Sequence, residues 1–556
     1  MSPCGSEPNA YEDDYRNDDD HHEDGHHEDD APETGDWPWR SHRGRRRRKG
    51  AGRVLRERLA GLPAARGAPV LDDPRFADPA WHTAPYYRGV LRAYLTWRDL
   101  VLAAADAPYL PARRRRQLRF AAQVITDAAA PANALACNPA ALRRAVATRG
   151  TSLVKGTNHL LDDLVHRRGR PAKMEPGSLR LGNELAATPG RVVHRDELME
   201  VIQYEPQTDA VHQVPLLLVP AWVNKYYVYD LSPGRSLAEW AVRAGFTVFT
   251  VSLRSPGPGQ AGLGLDDYFR RVPLHALDVV RQITGCPRIH LTGVCAGGML
   301  AAAAAGWLAD GGEAQVASLT LLVSALDYTV QGGEAMTTDG EIAAVTRILS
   351  KRSGLVDGGR ISLLFDLLRA PDTIWQPFVS GWLLGERPPP FDIWAWSEDG
   401  IDVPGALFRE TLRIAADNSL ARGRLRLAGR TIDLSKVTQD AFVVAAERDH
   451  IIPWTSVYDS ARLLGGPTAF HLVPSGHVGS IISPPRPRAD YRTREGPLPP
   501  DSRAWLEAST SRGESWWAAW SRWLAARSGP LVPGRAPGSR RYPAGDPAPG
   551  QYVRRR

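Results

Sequence analysis

IHLTGVCAGGML, residues 289–300, is the stretch whose reading decides the fold. Ile289, Leu291 and Val294, with Thr292 among them, form a short apolar run of the kind a buried parallel strand uses. Gly293, Val294, Cys295, Ala296 and Gly297 follow in order, and the alanine-rich run from Leu300 to Leu308 reads as a helix. This is the G-x-S-x-G pattern of a strand-to-helix elbow, with cysteine in the serine position. A turn that sharp leaves no room beside the nucleophile, so both flanks are glycine. The start of the helix directs free N–H groups and its positive dipole end at Cys295, which favours thiolate over thiol. A buried cysteine in an ordinary turn needs no glycine on either side.

Outward from the elbow, strand and helix alternate. Arg191 to Tyr204 reads as an early strand region, Pro215 to Val219 and Phe246 to Ser252 as buried strands, and Leu319 to Ser324 as another. Leu237 to Ala244 and Asp266 to Ile283 read as the helices between them. Such alternation predicts a parallel α/β sheet over residues 190–326. It stops over 327–439, where the chain turns helical, proline-interrupted and rich in aromatics (Trp375, Trp382, Trp394, Trp396), the expected signature of a cap inserted over the active site. The sheet resumes over 440–527 with Ala441 to Ala446 and Phe470 to Val473. It closes with a helix, Glu514 to Ala526, whose Trp516, Trp517, Trp520 and Trp523 are expected to pack on it.

Upstream, residues 53–189 carry apolar side chains at three- and four-residue spacing (Tyr86, Tyr87, Leu91, Tyr94 and Leu95, then Phe120, Val124 and Ile125) and read as a helical N-terminal domain. Residues 1–52 alternate Asp, Glu and His before an Arg-rich run. They are expected to be disordered, since they offer too little apolar surface to offset ordering entropy. His21, His22, His26 and His27 read as a solvated tail rather than a metal site. Residues 528–556, rich in Pro, Gly and Arg, read as a C-terminal tail.

The 556 residues suffice for a large core and more than one folded unit. No apolar run is long enough to span a membrane, and the polar, acidic start lacks the apolar segment of a secretory signal. Cys4, Cys137, Cys286 and Cys295 are scattered without metal-ligand spacing, which fits a reducing cytoplasm and implies no zinc ribbon. The net charge of +7 rests on an arginine-rich composition and argues no nucleic-acid partner by itself.

An elbow nucleophile needs a base, and the base an acceptor that orients it. In α/β-hydrolases both come later in the chain, acid before histidine, on loops after strands. Here Ala441 to Ala446 runs into Asp449, and Phe470 to Val473 runs into His477, in the required order. Cys295, His477 and Asp449 are therefore the expected catalytic residues. His450 directly follows Asp449 and is poorly placed to face it as the base. His275 and His290 precede the elbow in regular elements and read as ordinary residues. The oxyanion hole is expected from the N–H of Ala296 and one from the loop after the Pro215 to Val219 strand, Val223 first and Trp222 second. A cysteine nucleophile forms a thioester, which stays reactive toward alcohols and thiols and suits repeated acyl transfer from a thioester donor.

From Phe76 to Leu524 the chain resembles the poly(3-hydroxyalkanoate) synthases, of the type built from one full-length subunit. The resemblance rests on the elbow, on Phe76 to Trp81, Leu185 to Val193, Gln203-Tyr204, Asn224 to Leu231, Asp266 to Tyr268, Asp449 to Trp454, and Ser475 to His477. It implies an α/β-hydrolase fold with a helical cap and a helical N-terminal domain. The implied activity is transfer of (R)-3-hydroxyacyl groups from coenzyme A to a growing polyester. Cys295 would carry the chain as a thioester, with His477 as base. Asp449 would orient His477 or help activate the attacking hydroxyl. His450, Trp454, Asn224 and Arg254 are the expected substrate contacts. It also implies a homodimer at the surface of cytoplasmic polyester granules with their associated proteins, and no cofactor, coenzyme A being the leaving group. Leu253 and Ser255 stand where the family commonly has an aromatic and an amide, Ser397 where it has Asn, and Val478, Gly479 and Ser480 where it has Ile, Ala and Gly. These departures bear on substrate range and rate. The competing readings are a thioesterase or depolymerase on the same triad, and a granule-bound protein with a vestigial site.

Overall fold

The computed structural model describes residues 73–329 and 339–555, which fall in one compact unit, Val70–Arg556. The stretch 1–52, with its histidines and arginines, lies outside the described residues. The strands are β1 (Gly190–Arg195), β2 (Met199–Tyr204), β3 (Ala210–His212), β4 (Leu216–Val219), β5 (Val248–Leu253), β6 (Ile289–Val294) and β7 (Val316–Leu322). After the cap come β8 (Ala441–Ala446), β9 (Thr468–Val473), β10 (Arg492–Thr493), β11 (Thr510–Ser511) and β12 (Leu531–Pro533). The main sheet runs in the order β1-β2-β5-β4-β6-β7-β8-β9-β10-β11. From β5 to β9 the pairs are parallel, and antiparallel strands flank them on both edges.

Both faces of this sheet are covered, which is why its central strands read as unbroken apolar runs. The period of two sorts them: Leu217, Phe249 and Val443 point into one core, and Leu216, Leu218, Val248, Phe442 and Val444 into the other. The first core receives the elbow helix Ala296–Asp310, whose alanines let it lie close on the sheet. The second receives the helices Leu237–Arg243 and Trp516–Ala525. There Trp516, Trp517 and Trp520 are buried, and the Trp520 indole donates to Thr320 Oγ1 on β7 (3.0 Å).

The N-terminal helices Pro85–Ala105, Ala112–Ala128, Pro139–Ala147 and Thr151–Arg167 pack partly on themselves, with Leu91 and Tyr94 buried against Phe76 and Trp81. The stripe holding Phe120 and Ile125 faces outward instead of into a core. The last of these helices docks on the cap. Asp163 accepts from the Trp382 indole (2.8 Å) and sits 3.4 Å from the Arg387 guanidinium, and Lys173 pairs with Asp366 at 2.7 Å.

Two sequence readings change. The helix expected over Asp266 to Ile283 is interrupted by a π-helical turn, Arg270–Leu274, around Pro273, whose missing N–H cannot serve an α-helical bond. Residues 528–555 of the stretch read as a tail are packed. β12 pairs with β3, and residues 545–548 exchange backbone hydrogen bonds with β1, covering the sheet's open edge. Composition misled there because Pro and Gly suit an edge-capping strap as well as they suit disorder.

Candidate active site

Cys295 sits between β6 and the elbow helix with φ 52° and ψ −122°, a conformation that costs a non-glycine residue about 1–3 kcal/mol. The glycines around it are forced by contact. A Cβ on Gly293 would lie 2.5 Å from the Gly297 carbonyl oxygen, one on Gly297 2.3 Å from that of Val219, and one on Gly298 1.9 Å from Ser324 Oγ. The elbow therefore presses against the exit of β4, the loop that carries Val223.

Asp449 lies in the loop after β8 and His477 opens the short helix His477–Ile481 after β9. His477 Nδ1 stands 2.6 Å from Asp449 Oδ2, and the Asp449 side chain is wholly buried. The other oxygen, Oδ1, accepts from the N–H groups of Ile451 (2.8 Å) and Ile452 (3.0 Å), which fixes the carboxylate plane. The two loops are laced together: Arg448 N–H donates to the Ser475 carbonyl (3.0 Å), and its guanidinium to that of Pro474 (2.7 Å). Burial pulls the His477 pKa down, but the Asp449 hydrogen bond and the adjacent Cys295 outweigh it and push it up to about 10. His477, Asp449 and Cys295 therefore form one electrostatic cluster.

Ala296 is the first residue of its helix, so its N–H has no intrahelical acceptor and is free to serve an oxyanion. Val223 is half-buried on the β4 loop, packed against the same core as Cys295 and Ala296, while Trp222 is buried in that core. Asn224 forms a backbone bridge with Gly400 of the cap. His450 is exposed, with Arg369 and Asp372 of the cap among the charges that act on it. The Arg254 guanidinium lies 5.7 Å from the centre of the Tyr552 ring, and Trp454 packs on Tyr458 and Trp505. Of the divergent positions, Leu253 is buried at the end of β5. Ser255 Oγ accepts from Asp402 N–H (3.4 Å), and the Ser397 carbonyl accepts from Ser362 (3.1 Å).

Several further residues surround these side chains. Tyr229, fully buried, donates to the Val219 carbonyl (3.0 Å), and Tyr328 lies above Met299; the charge at Cys295 raises the pKa of both phenols, after burial. Lys225 is buried, paired with Asp399 of the cap at 2.9 Å, and its carbonyl accepts from the Trp396 indole (2.8 Å), so the β4 loop and the cap are one hydrogen-bonded assembly. Trp516 and Trp517 donate to the carbonyls of Ser480 (2.7 Å) and Ile481 (2.9 Å), on the short helix that starts with His477. The tryptophan cluster was visible in the sequence. Its polar partners were not, because they lie on an element 36 residues away.

Comparison with known proteins places these features in a family. Residues 72–241 match the N-terminal region of poly-beta-hydroxybutyrate polymerase, and residues 214–484 match the alpha/beta hydrolase fold. Poly(3-hydroxyalkanoate) polymerase 2 of Ectopseudomonas oleovorans is 40% identical over 484 residues, 86% of either chain. Polymerase 1 of the same organism is 39% identical over 88% of either chain. The polymerase subunit of Cupriavidus necator is 36% identical over 87% of this chain and 83% of that one.

Proposed function

The chain belongs to the poly(3-hydroxyalkanoate) polymerases, and from that membership we propose that it polymerises (R)-3-hydroxyacyl groups through a thioester on Cys295. It is an acyltransferase. In the proposed cycle His477 already holds the proton taken from Cys295, and the thiolate sulfur attacks the carbonyl carbon of the coenzyme A thioester. The N–H groups of Ala296 and Val223 receive the negative charge on the carbonyl oxygen. The carbon–sulfur bond to coenzyme A then breaks, and His477 returns the proton to the departing thiolate. The 3-hydroxyl of the next (R)-3-hydroxyacyl-CoA attacks the acyl-Cys295 thioester, losing its proton to His477. This releases Cys295 and leaves the chain one unit longer on coenzyme A. Cys295 recovers the chain in a second exchange that frees coenzyme A. Thioester exchange is nearly isoenergetic, and ester formation from a thioester is downhill, so no cofactor is required.

The observation that carries this reading is the 2.6 Å His477–Asp449 contact beside a cysteine held in a strained elbow. No helix among the described residues is long and apolar enough to cross a membrane. Exposed Val154, Leu161, Leu164 and Val165 on the helix Thr151–Arg167 offer an apolar face for a second subunit or for the polyester granule on which the enzyme is proposed to act.

The test is incubation of the purified protein with (R)-3-hydroxybutyryl-CoA and, separately, a medium-chain analogue, following coenzyme A release and insoluble polyester. Release matched by polymer in the native protein, and neither in a folded Cys295→Ala variant, is the expected result. Release with only free hydroxy acid would make the protein a thioesterase. Turnover at the native rate in Cys295→Ala would remove Cys295 from the mechanism.

A further inference from the structure

His194, Asp196 and His275 meet on the flank of the sheet, outside the Cys295 cluster. His194 Nε2 lies 3.2 Å from His275 Nε2 and 3.7 Å from Asp196 Oδ2, and one ligand atom from each of the three residues falls within 4.8 Å of the others. We propose that these three side chains bind one divalent transition-metal ion, Zn²⁺ by donor type, which pins the β1–β2 hairpin to the helix His275–Thr284.

The spacing of the two rings fits such an ion, and a small movement brings the carboxylate to it. Two imidazole nitrogens each about 2.05 Å from zinc and as far apart as this pair subtend about 100°, close to the tetrahedral angle. The carboxylate is already oriented: its Oδ1 accepts from the N–H groups of Leu198 (2.7 Å) and Met199 (2.9 Å), which leaves Oδ2 toward the rings. All three residues are half-buried, so one face stays open for an entering ion and for water as fourth ligand. Two imidazoles and a carboxylate suit zinc and its neighbours and poorly suit Mg²⁺ or Ca²⁺, which prefer oxygen.

A second observation comes from the backbone. Both histidines immediately follow an irregularity in their own element. The β1–β2 register slips between Val192 and His194, a bulge that redirects the next side chain. The π-helical turn Arg270–Leu274 ends directly before His275 and rotates it relative to an unbroken α-helix. These two departures from regular geometry converge on one point in space.

The position gives the ion a structural task. The helix His275–Thr284 leads into β6 and so to Cys295, while the hairpin holds the C-terminal strap. The Tyr542 ring meets His194 edge-on at 5.9 Å, and the Tyr552 hydroxyl donates to the Asp196 carbonyl.

The test uses the full chain without an affinity tag, stripped by chelator and titrated with Zn²⁺, beside His275→Gln and His194→Gln. Because His21, His22, His26 and His27 are present in all three proteins, their binding cancels in the comparison. The wild type is expected to bind one more equivalent of Zn²⁺ than either variant. It should show the visible absorption of four-coordinate Co²⁺ that both variants lose, and rise in melting temperature with Zn²⁺ where they do not. Equal stoichiometry and equal spectra in all three would overturn the site. Should the variants not fold, zinc-edge anomalous scattering from zinc-loaded wild-type crystals decides: a peak among the three side chains supports the site, and its absence overturns it.

Discussion

His477 is the residue on which the proposed chemistry and the local electrostatics both turn. Its pKa is raised from 6.5 to about 10, so the charged imidazolium is favoured in the folded protein relative to the unfolded chain. The stabilisation from that shift is fully present below pH 6.5 and is lost as pH rises toward 10. The gap in melting temperature between the wild type and His477→Gln is therefore expected to be widest near pH 6 and to close by about pH 10. Thermal melts across that range would check it, and a gap that widens with pH would contradict the ion-pair account. The same variant is expected to lower the rate of coenzyme A release by about 10²–10⁴ through loss of the base. That Cys295, Asp449 and His477 come together could be expected from the sequence because each follows an apolar strand run in the order the fold requires. For Arg254 and Trp454 a motif shows that a residue is constrained without showing which neighbour constrains it, and the ring contacts with Tyr552, Tyr458 and Trp505 come from the structure alone.

At the scale of elements, the short helix that opens with His477 is held from behind by a helix much later in the chain. Trp516 and Trp517 close its last carbonyls, which a five-residue helix cannot satisfy by itself. Trp516→Phe keeps an aromatic ring in the core but leaves the Ser480 carbonyl without its donor, a cost of about 1–3 kcal/mol. The expected outcome is a modest fall in denaturant midpoint and a larger fall in kcat than in affinity for the acyl-CoA, read from steady-state kinetics. An unchanged kcat would show that the Trp516 hydrogen bond does not position His477. Strands β4, β6 and β8 were legible because burial on both faces demands unbroken apolar runs. The π-helical turn and the hairpin bulge were not, because each shifts a register without changing the composition of its segment.

For the whole molecule, the C-terminal strap is the largest departure from the sequence reading. Buried Glu200 accepts from the N–H groups of Gln551 (3.2 Å) and Tyr552 (3.1 Å), and buried Lys225 donates to the carbonyls of Val553 and Arg555. A chain ended at Pro530 lacks Tyr552 and Val553, leaves both charges with fewer partners and uncovers the β1 edge of the sheet. It is expected to lose about 3–5 kcal/mol of stability in chemical denaturation, whereas a free tail would cost nothing. Since Lys225 also ties the β4 loop to Asp399 of the cap, turnover should fall with it. The sequence by itself determined the sheet, the strand-to-helix elbow and the helical segment inserted between its strands, because these are written in local periodicity and in spacings that the chain must obey before it folds. Only the tertiary structure decided what the cap rests on, that the last segment closes the sheet's edge, and that His194, Asp196 and His275 share one point. Those are contacts between segments hundreds of residues apart or rotated by a single irregular turn, and no short-range pattern records them.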